Sequence, residues 1–237
     1  MLSFLYLTRN AGTHTTITHN EQAPVKAYAQ KNPHRMGKWT SNSMSHVSHM
    51  EDNDFFSSEQ SHVCSGEEDV KISLKVGNET KTLKESVKLQ AGEVIDAAVM
   101  NTKSLRSFFR EQIDDAKKKD ILLSLHLKAT MMKISDPIMF GHCVTEYFAD
   151  AFEKHAETFE KLGVNPNNGI GDAFDKIKSL PDIERAKIES DLLKCIEKGP
   201  RLAMVDSNRG ITNLHVPSDV IIDASMPVVV RFERVNS

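Results

Sequence analysis

The stretch ILLSLHLKATMMKISDPIMFGH, residues 121–142, changes its periodicity midway and decides the fold class. Its first part, Ile121 to Leu127, is short, nearly continuous and apolar, which is the pattern of a buried strand. Lys128 then ends that run. Further on, Asp136 offers a side-chain acceptor to free amides and Pro137 a preset φ, so the pair predicts a helix start. Val144, Tyr147, Phe148, Ala151, Phe152, His155 and Phe159 carry the helical spacing to Gly163, the expected C-cap. A strand running into a helix through a lysine is the unit around which the rest is arranged.

Upstream, Leu105, Phe108, Phe109, Ile113 and Ala116 recur at helical spacing, with Asn101 or Thr102 available as cap. Before them Val70, Ile72, Leu74 and Val76 alternate with polar residues, Gly77-Asn78 interrupts, and alternation resumes at Thr82. That predicts strand, turn and strand. Downstream, helices fit 170–180 and 182–198, the second stopped by Gly199-Pro200, and LAMVDS and DVIIDAS read as short strands. The expectation is an α/β chain with a β-rich N-terminal part followed by strand-helix units. Its central strand is 121–128, flanked by helices near 102–118 and 137–161. Residues 1–30 show no sustained period.

Bulk properties narrow the function classes. The chain has 237 residues, a net charge of −3 and 39% hydrophobic residues, with a mean hydropathy of −0.38. That charge gives no general reason to bind nucleic acid or acidic lipid. No apolar run approaches the roughly 20 residues that span a bilayer. Cys64, Cys143 and Cys195 are scattered and odd in number, which favours reduced thiols and a cytoplasmic setting. The first 19 residues lack acidic side chains but carry only Arg9, so mitochondrial targeting is the weaker reading and a poorly ordered leader the stronger.

Several constellations are weighed against plainer readings. His46, His49 and His62 with Cys64 form a conceivable ligand set, but no pair has zinc-finger spacing, and HVSHM would put its histidines on opposite faces of a strand. Polar strand positions are the favoured reading. NNGIGDAF sets Gly169 and Gly171 before a helix, yet it lacks both a third glycine at dinucleotide spacing and a Gly-Lys-Ser/Thr. A glycine-rich helix start fits better than a phosphate loop. Lys128 sits at the carboxyl end of the expected central strand, where α/β folds present groups to ligands, although solvated lysines are common there. Asp219 and Asp223, near Pro217, could hold Mg²⁺ or Mn²⁺, which prefer oxygen ligands.

The longer motifs are more specific. HLKATMMKISDPIMFGH and DSNRGITNLHVPSDVIIDASMP, with KNPHRMGKWTSNSMSHVSHMEDNDFF, QAGEVIDAAVM, LGVNPNNGIGDAF and RLAMVDS in the same order, resemble the monomeric type of NADP-dependent isocitrate dehydrogenase. The resemblance covers residues 21–231, between a leader, 1–20, and an unmatched tail, 232–237. It implies the first half of the family's large inserted domain, within a much longer enzyme that converts isocitrate to 2-oxoglutarate in the tricarboxylic acid cycle.

By matched position, Lys128 corresponds to the substrate-facing lysine that assists proton transfer during decarboxylation. Asp219 corresponds to an aspartate that binds the catalytic Mg²⁺ or Mn²⁺. The departures are equally specific. Residues 13–26 read THTTITHNEQAPVK, with no arginine where the family has a paired one. The lysine's tyrosine partner, the other metal aspartates and the NADP contacts have no counterpart before Val230. The resemblance therefore implies an incomplete chain, inactive alone, or a non-catalytic remnant that associates with itself or with the missing remainder of the enzyme.

Overall fold

The computed structural model describes residues 2–3, 27, 31–32, 41–125, 127 and 134–217. The chain divides into two compact units, residues 1–37 with 51–100, and residues 38–50 with 101–237.

The first unit is built from strands. The short strand β1 (Leu2–Ser3) and the strand β2 (Gln60–Val63) both pair antiparallel with β5 (Val94–Val99), which lies between them. A four-residue helix, α1 (Phe55–Ser58), precedes β2 and is capped by the Asp54 side chain on the Ser57 amide. The expected strand-turn-strand is present as β3 (Glu68–Val76) and β4 (Glu79–Leu89), closed by the two-residue Gly77-Asn78 turn. Positive φ falls on the first turn residue, Gly77, the place where two-residue hairpins call for glycine. Along β3 the half-buried face is Val70, Ile72 and Leu74, the alternation read from the sequence. Among the described residues of this unit only Cys64, Leu89 and Met100 are fully buried.

The second unit is mostly helical. Helix α2 (Thr102–Lys118) starts where the Asn101 side chain accepts from the Ser104 amide at 3.1 Å, and it buries Leu105, Phe109 and Ala116. The expected helix 137–161 is three helices, α3 (Ser135–Tyr147), α4 (Ala149–Lys154) and α5 (Ala156–Leu162), broken at Phe148 and His155. The backbone ladder continues across both breaks, Phe152 N–H to Phe148 O at 3.0 Å and Phe159 N–H to His155 O at 2.9 Å. They are therefore kinks and not interruptions. Gly163 ends α5 in the left-handed region, as expected. A start at Asp136 is corrected. Ile134 is already helical and caps without a side chain, so Asp136 lies buried inside the first turn, where a carboxylate faces the positive end of the helix dipole.

Helix α6 (Ile170–Lys176) and α7 (Asp182–Lys198) follow, then β6 (Met204–Asp206) paired with β7 (Ile211–Thr212). The core of this unit is Val144, Phe148, Ala151, Phe159, Ile170, Ala173, Ile177, Ile188, Leu192 and Leu214. The expected central strand 121–128 is reduced. Residues 121–125 make a single parallel bridge, Leu123 to Leu202, and His126 and Lys128 lie outside the described residues.

Among the described residues, two buried carboxylates, Glu146 and Asp191, sit in clusters of basic side chains. The Glu146 carboxylate, fully shielded, takes hydrogen bonds from Arg106 and Arg110, one turn apart on α2. Asp191 on α7 accepts from His155 Nε2 at 2.9 Å and pairs with Lys154 and Lys194 at 2.7 and 3.1 Å. Those donors hold its carboxyl well below the usual range. For the first cluster we predict that Arg106→Met with Arg110→Met lowers the unfolding free energy by about 3 kcal/mol, because an uncompensated carboxylate would stay buried. Urea denaturation measures it, and an unchanged midpoint would refute the assignment.

Candidate functional site

The site is built where three sequence-distant segments meet. Leu123 N–H donates to Arg201 O at 2.8 Å, and Ala203 N–H donates back to Leu123 O at 2.9 Å. This fastens the apolar run 121–125 to the segment that leads into β6. Asn213 then reaches across, its Nδ2 donating to Leu125 O at 2.9 Å over 88 residues of sequence. Its Oδ1 is buried without a hydrogen-bond partner among the described residues. The segment after β7 is held in turn by the glycine-rich start of α6. Ile170 N–H donates to Leu214 O at 2.9 Å and Gly171 N–H to His215 O at 3.0 Å.

Those two bonds explain NNGIGDAF. Amides that a phosphate loop would aim at a ligand are spent on the 214–215 backbone. Gly169 has φ +88°, and a Cβ there would sit on the His215 carbonyl oxygen and 2.8 Å from Val216 N. Close backbone approach is what requires the glycine, so the helix-start reading holds.

His215 is fixed on both sides. Its ring stacks on Phe174 at 5.9 Å with planes 6° apart, and Nδ1 accepts from the Thr212 amide at 3.0 Å. Burial pushes its pKa down, and an accepting Nδ1 places the ring proton on Nε2 of a neutral imidazole. On α3, His142 is likewise lowered by burial, with Arg106 nearby adding to it. Cys143 is fully buried and pushed up to about 12, which makes its thiol inert.

Lys128, Asp219 and Asp223 lie outside the described residues. What is described is the chain on either side of them: Leu125 and Leu127 before Lys128, Ile134 after it, and Pro217 before Asp219. Asn213 carries no signal in the sequence, because nothing local marks an asparagine that bonds a backbone 88 residues away. The candidate histidines fall in different units. His46 and His49 belong to the second unit, in irregular chain, and bond the backbone oxygens of Met44 and Met50. His62 and Cys64 belong to the first.

For a hard divalent cation, Asp219 is the right kind of donor but only one ligand of about six. Among the described residues, the cluster able to hold a metal is His62, Cys64 and Glu68, a nitrogen, sulfur and oxygen set unlike the all-oxygen shells of Mg²⁺ and Mn²⁺. No helix among the described residues is long and apolar enough to cross a membrane.

Comparison with known proteins agrees with these motifs. The family profile described as monomeric isocitrate dehydrogenase matches residues 18–234. Isocitrate dehydrogenase [NADP] of Azotobacter vinelandii is 52% identical over 209 residues, 87% of this chain and 28% of that protein. Isocitrate dehydrogenase [NADP] 2 of Colwellia maris is 53% identical over 210 residues, 88% of this chain and 28% of its own length. The Mycobacterium tuberculosis protein of the same name is 50% identical over 208 residues, 87% of this chain and again 28% of its own length. The chain thus spans a little over a quarter of these relatives. With one profile match running through both compact units, the chain belongs to the monomeric isocitrate dehydrogenase family.

Proposed function

We propose that residues 21–231 form part of the large domain of an NADP-dependent isocitrate dehydrogenase and contribute substrate-side groups to it. In this reading Lys128 binds isocitrate and gives a proton to the carbon that loses CO₂, and Asp219 holds one side of the divalent cation. A bound Mg²⁺ or Mn²⁺ supplies Lewis-acid polarisation of the substrate oxygen. The cationic amine favours the carboxylate-rich substrate by charge, and it is an acid able to protonate an enolate. The proposed setting is the cytoplasm, with neither nucleic acid nor membrane as partner. The relatives named above are NADP enzymes by name.

One observation carries the reading. The Leu123–Leu202 bridge and the Asn213–Leu125 bond run the segment entering Lys128 beside the segment entering Asp219. Catalytic groups that share one small substrate must lie within about 12 Å of each other. A chain carrying Lys128→Cys and Asp219→Cys should therefore be cross-linked intramolecularly by a short bismaleimide. Failure to cross-link, with both thiols shown reactive, would overturn the convergence. A second reading, a non-catalytic domain acting through association, rests on the lack of counterparts to the family's NADP contacts within these 237 residues. Measurable NADPH affinity of the purified chain would count against it.

A further inference from the structure

We propose that His62, Cys64 and Glu68 form a zinc site that staples the first unit, a site separate from the catalytic chemistry proposed above. The sequence places these groups together by a simple route. His62 lies in β2 and Cys64 directly follows its last residue, where the Cys64 N–H to Glu93 O bond continues the pairing, so alternation puts both on one face. The chain then turns through Ser65-Gly66-Glu67 and Glu68 opens β3. Gly66 has open space where a side chain would be.

One nitrogen, one sulfur and one carboxylate oxygen from the three residues all lie within 4.8 Å of one another. His62 Nε2 is already 3.0 Å from Glu68 Oε2. Tetrahedral zinc with ordinary N, S and O bond lengths has ligand-to-ligand edges of roughly 3.4–3.6 Å. Closure thus needs only side-chain adjustment.

The plainer reading is a surface His62–Glu68 pair, which is worth little in water. That pair does not account for a buried thiol beside it. Cys64 is 1% exposed, and its backbone is locked by Cys64 N–H to Glu93 O and Gly92 N–H to Cys64 O, both 2.8 Å. A buried thiol on a fixed backbone thus lies within 4.8 Å of a more exposed imidazole and carboxylate. The cluster supplies three ligand atoms, and water would complete the tetrahedron as the fourth.

Among the described residues of this unit the buried ones are Cys64, Leu89 and Met100, so a metal at Cys64 would add a cross-link at the described core. A metal here would tie the end of β2 to the start of β3, joining the β1-β5-β2 sheet to the hairpin. Binding releases the thiol proton, so affinity falls as pH is lowered.

The test adds Co²⁺, then Zn²⁺, to the purified 237-residue chain. Expected are one equivalent of Co²⁺ with tetrahedral visible bands and a thiolate-to-cobalt charge-transfer band, all displaced by Zn²⁺. Cys64→Ser should abolish the charge-transfer band. His62→Ala and Glu68→Gln, at more exposed positions that leave the fold intact, should each weaken Co²⁺ binding at least about tenfold. Asp219→Asn should leave the spectrum unchanged, which separates this site from the catalytic reading. Absence of the charge-transfer band in the parent chain would overturn the proposal, as would its persistence in Cys64→Ser or unaltered affinity in His62→Ala.

Discussion

A polypeptide of these 237 residues is expected to produce no measurable NADPH from isocitrate and NADP in the presence of Mn²⁺. Hydride transfer requires cofactor and substrate at near-attack distance, and positioning alone supplies about 7–11 kcal/mol of the catalytic advantage. Residues 13–26 hold no arginine to clamp the substrate carboxylates. The resemblance finds no counterpart of the NADP contacts, and the matched length is 28% of the relatives. In the proposed reading Asp219 is a single metal carboxylate, which would bind Mg²⁺ or Mn²⁺ weakly, since such ions keep their waters and rely on several oxygens. The assay follows NADPH absorbance with Lys128→Ala as control. Turnover by the parent chain that disappears in the variant would prove this expectation wrong and would assign Lys128 directly.

The second large effect falls on Gly169. Gly169→Ala should destabilise the second unit by about 3 kcal/mol or more, since two costs combine. The residue holds φ +88°, and the new methyl group would collide with the His215 carbonyl and press on Val216 N. Neither obstacle is a flexible side-chain end, so the 214–216 backbone has to move away from the start of α6. That movement breaks the Ile170–Leu214 and Gly171–His215 bonds and unseats His215 from Phe174. Thermal melting reads the stability, and hydrogen exchange at the Ile170 and Gly171 amides reads the local opening. Gly163→Ala, in open space but also at positive φ, is the comparison: it should cost only the strain of its φ, about 1 kcal/mol. Equal effects at the two glycines would defeat the close-approach argument.

Much of the architecture is local, and the sequence by itself determined that part. Asn101, with the Leu105–Ala116 spacing, specified α2 at its observed bounds, and the run before Gly199-Pro200 specified α7. Alternation around Gly77-Asn78 specified the hairpin. The family was legible too, because long ordered motifs carry it. Tertiary structure decided the rest. A continuous apolar run, Ile121 to Leu127, reads as a strand, but a strand needs partners along its length, and among the described residues it has one bridge, at Leu123. The kinks at Phe148 and His155 have no proline or glycine behind them. Phe148 is fully buried in the core and His155 is drawn to Asp191 on α7, contacts that periodicity cannot express. Asn213 and Glu68 became informative only through partners brought to them by folding, one 88 residues away and the other across a turn. Capping, alternation and helical spacing act over a few residues and are written in order along the chain. Which backbone an asparagine bonds, or which thiol a carboxylate meets, depends on distances that exist only once the segments have packed.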